Sequence, residues 1–183
     1  MSSTIKATSL LKLIISLFLI INCTSTEVAS QSGQAINPFL GTIRVTVDNV
    51  LVRITRNGVP LNLAGAGVLN NWTLLKTVKA ILRSGDFIAI TGINSGPYSV
   101  NNPGAMLATI TYRDRFGNIR VIRTNNRWRC NYRQARQLGS NGNPNTIWFN
   151  NNNGPIAGIN LNAQWIWSRT VAAPRAICSI RLP

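Results

Sequence analysis

From Thr42 onward the chain alternates. Ile43, Val45 and Val47 fall on one side, and Thr42, Arg44 and Thr46 on the other. That period of two specifies a half-buried strand. Asp48-Asn49 interrupts it, Val50–Thr55 reads as a second strand, and Asn57-Gly58 is the strongest hairpin signal in the chain. Trp72–Val78 reads as a further strand. Phe87–Ile93 is apolar on both faces, as a central strand is, and Ala105–Tyr112 follows in kind. A turn at Arg113–Asn118 leads into Ile119–Thr124, and Trp165–Trp167 and Ala176–Ile180 are late strands. Glycine, asparagine and proline mark loops at Leu63–Asn71, Asn94–Gly104, Gly139–Thr146 and Asn150–Gly154. Only Tyr132–Leu138 reads as helical, for one or two turns. Short strands separated by turn signals about every ten residues predict an all-β sandwich with one core.

Residues 1–30 break this pattern. Lys6 and Lys12 precede the apolar run Leu13–Ile21, and small and polar residues follow up to Ser30. That is the layout of a secretory signal peptide, with cleavage expected after Ser30 or nearer Ser25. The run is shorter than the roughly 20 residues a bilayer span needs, so no transmembrane segment is expected. Residues 31–41 read as a polar lead and residues 42–183 as the sandwich domain. The expected location is extracellular. With Cys23 in the leader, Cys130 and Cys178 are the remaining cysteines, so they pair with each other if oxidised. Asn71-Trp72-Thr73 is a glycosylation sequon.

Charge changes the picture most. The chain carries 19 Lys and Arg against 4 Asp and Glu, and no histidine. Without histidine, the usual general base and most zinc sites are unavailable. The carboxylates beyond the leader are Asp48, Asp86 and Asp114. Asp86 and Asp114 sit in turn sequences, whereas glycoside hydrolysis needs two facing carboxylates. The reading is therefore a binding protein without catalysis, cofactor or metal. Arg113, Arg115, Arg120, Arg123, Arg127, Arg129, Arg133 and Arg136 crowd one region with Asp114 the sole acid. The plain reading of such a run is a solvated surface, and the functional one is a seat for a polyanion. Among the aromatics, Trp128, Trp165 and Trp167 lie in strand-like segments and are expected in the core. Trp72, Tyr98 and Trp148 border loops and are the candidates for a ligand face, beside Arg113, Arg115, Arg120 and Arg123.

Several motifs recur in a familiar order: Val47-Asp48-Asn49, Asn57-Gly58, Asn71-Trp72, Gly85–Ile90, Pro103–Ala108, Trp128-Arg129-Cys130, Gln164–Trp167 and Cys178. In that order they resemble the galactose-binding-domain-like jelly-roll modules of secreted proteins and, more distantly, the N-terminal sandwich of rhamnosidases. The resemblance implies a jelly-roll fold, supports a Cys130–Cys178 bridge and points to carbohydrate binding. Such relatives are neutral or acidic, which puts a simple neutral sugar in doubt for this arginine-loaded chain. The expected function is a secreted lectin-like module whose partner is an anionic polysaccharide or glycoconjugate, not a nucleic acid. The alternatives are a cationic matrix or structural protein for acidic polymer, mineral or membrane surfaces, and a defence protein acting on anionic surfaces.

Overall fold

The structure, a computed structural model, describes residues 39–97, 99 and 101–183. The expected signal peptide, the lead up to residue 38 and Tyr98 lie outside the described residues. The remainder is all-β. Its strands are β1 (Leu40–Asp48), β2 (Val50–Arg56), β3 (Val59–Pro60), β4 (Lys76–Ile81), β5 (Phe87–Ile93) and β6 (Ala105–Arg113). They continue as β7 (Ile119–Arg123), β8 (Arg129–Cys130), β9 (Arg133–Gln134), β10 (Arg136–Ser140), β11 (Gln164–Trp167) and β12 (Arg175–Arg181). One short helix, α1, spans Ile147–Asn151.

The strands form two antiparallel sheets. The first runs β10-β11-β6-β1-β4, with β7 also on β6; the second runs β3-β2-β5-β12-β8-β9. The alternation read from β1 is the packing rule. Ile43, Val45 and Val47 join Met106, Ala108, Ile110 and Tyr112 of β6 in facing Leu51, Ile54, Ile88, Ile90 and Ala176 of the second sheet. The two sheets approach closely enough that a Cβ on Gly92 would stand 2.4 Å from Val47 Cγ1. Cys130 and Cys178 are register partners on β8 and β12 and form the disulfide.

Three local expectations are corrected. Tyr132–Leu138 is not helical. Asn131 and Tyr132 both have positive φ and turn the chain back on β8, so that Arg129 pairs with Gln134 and the segment becomes β9 and β10. Strand β4 starts at Lys76 instead of Trp72, because Asn71 Oδ1 accepts the Thr73 N–H at 2.9 Å and closes a turn there. The unexpected helix α1 is started by Thr146, whose Oγ1 accepts the Phe149 N–H at 3.2 Å.

The outer face of the first sheet is finished differently at its two ends. At one end Ala105 and Leu107 are roofed by Trp148 of α1, Ile156, Ile159, Ala163 and Trp165, forming a second core. At the other end the β6–β7 hairpin carries no such roof, and Ile119, Val121 and Phe116 are exposed.

Candidate functional site: an arginine-lined cleft

The turn at Asn131-Tyr132 places Arg133 on β9, and Ala135 separates it from Arg136 on β10. Ala135 is buried and its N–H donates to the Trp128 carbonyl at 2.9 Å, so this short link is anchored to the core. On the other side, β10 pairs with β11 in the register Arg136↔Trp167. Trp167 is buried, and its Nε1 donates to the Ala173 carbonyl at 3.1 Å. The next residue, Ser168, donates its hydroxyl to the Thr170 carbonyl at 2.7 Å and holds the turn that follows. Arg169 therefore comes alongside Arg133 and Arg136. Together with Gln134 and Ala135 these residues line an open cleft of about 760 Å³.

No carboxylate lines this cleft. Among the described residues, none of its three guanidiniums is paired with an acid; the ion pairs are Arg56–Asp86 and Arg120–Asp114. Each guanidinium keeps its planar fork for a carboxylate, sulfate or phosphate. Arg136 also borders a second hollow of mixed lining, where Asn101, Asn145 and Thr146 stand beside Leu138, Trp148 and Val171.

The residues singled out in the sequence do not converge on this place. Arg113 donates to the Gly117 carbonyl at 2.7 Å and lies 4.9 Å over the Phe39 ring. Arg115 stacks 4.7 Å over Phe116, and Arg120 Nε is 2.8 Å from Asp114 Oδ2. These three arginines are thus engaged within or beside their own hairpin, while Arg123 lines a separate hollow with Arg127 and Arg181. Trp148 is buried, stacks on Trp165 at 4.9 Å and donates Nε1–H to Asp48 Oδ2 at 2.9 Å, so it roofs a core, and it also borders the hollow that Arg136 lines. Trp72 is half-buried and meets Trp165 edge-on at 6.4 Å. Asn71 is half-buried, with Oδ1 accepting the Thr73 hydroxyl at 2.7 Å.

The three carboxylates each serve the fold. Burial raises the Asp48 carboxyl above its ordinary range, against the opposing Trp148 hydrogen bond. Asp86 accepts Asn57 Nδ2 at 2.7 Å and the Arg83 N–H at 2.8 Å, joining two turns. Asp114 is pushed up by desolvation, but bonds from Arg120, the Asn118 and Phe116 N–H groups and the Asn118 amide together hold it below its ordinary range. Among the described residues, no group of three His, Cys, Asp or Glu could hold a metal ion. Lys76 is fully buried, its Nζ reaching Thr46 Oγ1 at 3.3 Å and the Asn71 carbonyl, and burial lowers its pKa to about 8.

Arg169 is the residue that sequence reasoning missed. Nothing in Ser168-Arg169-Thr170 marks it as part of a site, and only the β10–β11 pairing brings it to Arg136. No family model, curated protein or solved structure matches the chain.

Proposed function

We propose that the chain is a secreted, non-catalytic binding module of the jelly-roll kind, lectin-like in its use, for an acidic glycan. Its carboxylate or sulfate groups seat on Arg133, Arg136 and Arg169. The observation that carries this reading is the cleft itself: three guanidiniums without an acidic partner, on anchored backbone, with no carboxylate in the lining. Residues held on a scaffold lose less freedom on binding than residues on a mobile tail. The surrounding charge, +15 for the whole chain, draws a polyanion toward the cleft. Gln134 adds a neutral donor and acceptor for sugar hydroxyls. The motif order, which resembles that of galactose-binding-like modules, and the leader-like residues 1–30 support the same reading.

The test is a charge-matched comparison on a sulfated polysaccharide such as heparin. The variant Arg133→Gln, Arg136→Gln, Arg169→Gln should bind about tenfold more weakly or worse, a loss of about 1.4 kcal/mol. The control Arg53→Gln, Arg83→Gln, Arg175→Gln removes the same charge from exposed positions elsewhere and should lose less than about threefold. Equal losses in the two variants would mean a diffuse polycation and no site.

A further inference from the structure

The β6–β7 hairpin carries a surface that the glycan reading leaves unused. Its outward positions are set by register, with Arg113 opposite Ile119, Thr111 opposite Val121 and Thr109 opposite Arg123. Ile122, pointing the other way, packs against the inter-sheet core and fixes the hairpin to the body. The tip residue Phe116 is 72% exposed, Ile119 58% and Val121 48%. Leu40, two residues before Thr42 on the same face of β1, is 53% exposed, with Arg113 of β6 standing between it and Ile119. Exposed apolar residues scattered singly need no explanation, but three of them grouped on one edge hairpin do.

The charges around this strip have one sign. Arg113, Arg115, Arg123 and Lys79 border it, and Lys79 is the register partner of Thr42. Among the described residues the one acid on this hairpin, Asp114, is turned inward. It accepts the Phe116 N–H at 2.9 Å, the Asn118 N–H at 3.0 Å and Arg120 Nε at 2.8 Å. Its charge is spent on shaping the turn and on Arg120, which leaves the other cations uncompensated. At the edge of β7 the strip passes into a hollow of about 250 Å³ where Val121 and Ile122 meet Arg123, Arg127 and Arg181. An apolar strip with guanidiniums at its margin suits an interface whose outer layer is anionic and whose interior is hydrocarbon. Long cationic side chains there lay their stems along apolar surface and hold their heads among the charges.

We infer that the β6–β7 hairpin docks on an anionic lipid bilayer, with Phe116, Ile119 and Val121 entering the headgroup boundary and Arg113, Arg115 and Arg123 pairing with the lipid charges. This site is separate from the Arg133–Arg136–Arg169 cleft.

The test is co-sedimentation of the full chain with phosphatidylcholine vesicles prepared with and without phosphatidylglycerol. Binding should require the anionic lipid. The variant Phe116→Ser, Ile119→Ser keeps every charge and changes only exposed side chains. It should lose about tenfold or more in vesicle binding while keeping its circular dichroism spectrum and its heparin affinity. The cleft variant Arg133→Gln, Arg136→Gln, Arg169→Gln should lose heparin affinity and keep most of its vesicle binding. Failure of the cleft variant to lose heparin would therefore count against the glycan reading alone. Absence of vesicle binding by the full chain would overturn the membrane inference, as would unchanged binding by the Phe116/Ile119 variant. Sedimentation velocity covers the other occupant: a dimer that the Phe116/Ile119 variant turns into a monomer would assign the strip to a second copy and overturn it equally.

Discussion

The outer face of the first sheet has two ends built from the same strands and finished in opposite ways. At the roofed end, Ala105 and Leu107 of β6 are fully buried beneath Trp148, Ile156, Ile159 and Trp165. At the bare end, four to eight residues further along β6, the cross-strand partners are Arg113 with Ile119 and Thr111 with Val121. The strand period is the same throughout. What differs is whether a distant segment returns to cover it. The roof is fastened by polar groups that an apolar count would miss. Asn141, almost wholly buried, donates Nδ2 to the Ile156 and Ile159 carbonyls at 3.1 Å each and accepts the Ile156 N–H at 2.8 Å. Trp148 donates to Asp48, and the Asn160 N–H donates to Thr109 Oγ1 at 3.1 Å, at the boundary between the two ends. A covered face thus needs a buried polar frame, whereas a bare face carries its apolar residues among cations.

The comparison breaks first at Trp148. Trp148→Ala removes the stacking partner of Trp165 and the donor to a buried carboxylate, and should cost about 3–5 kcal/mol by denaturant titration. A loss below 1 kcal/mol would mean that the roof is not a core. Asn141→Ala strips three hydrogen bonds from the frame and should cost about 2–3 kcal/mol, measured in the same way.

Lys76, whose Nζ reaches the turn that carries Trp72, sharpens the comparison through pH. Burial lowers its pKa from the ordinary 10.5 to about 8 in the folded chain. Between those values the unfolded chain binds the proton more, so this group's contribution to stability rises with pH across that window. The penalty is fully present below about pH 8. Lys76→Met should remove the rise and stabilise the protein at neutral pH by about 1 kcal/mol, since Met leaves no buried charge. Parallel pH profiles for wild type and variant between pH 7 and 10 would contradict a buried cation. The smallest effect is expected at the bare end. Ile119→Ser should change stability by no more than about 0.5 kcal/mol, because the side chain has little to lose on folding. A larger loss would mean that this end is covered in solution.

The first strand was legible because Ile43, Val45 and Val47 need only a period of two, and each is buried between the sheets. The Asn57-Gly58 turn was legible for an equally local reason: both residues adopt positive φ, which that pair tolerates best. The burial of Trp148 was not legible because Ile147-Trp148-Phe149 is flanked by asparagine-rich stretches, a composition that reads as a loop on the surface. Asn141 in that stretch is buried and works as a bracket, and nothing local distinguishes a bracketing asparagine from a solvated one. The fate of Tyr132–Leu138 was illegible for the same kind of reason, since its strands depend on where β8 and β11 happen to lie. The arginine crowd was visible in the sequence, but its partition was not. Arg113, Arg115 and Arg120 are taken up by Phe39, Phe116 and Asp114 at one hairpin, and the β10–β11 pairing leaves Arg133 and Arg136 to meet Arg169.

The central claim is that this partition has a functional meaning, and the arginine side chains report on it themselves. With ¹⁵N-labelled protein, the Nε–Hε resonances are followed while a sulfated oligosaccharide is titrated in at near-physiological salt. The account predicts that Arg133, Arg136 and Arg169 shift together and saturate at one ligand concentration, while Arg113 and Arg120, already engaged within their hairpin, move little. Shifts spread evenly over all the exposed arginines, or confined to Arg113, Arg115, Arg120 and Arg123 with the cleft unmoved, would contradict it.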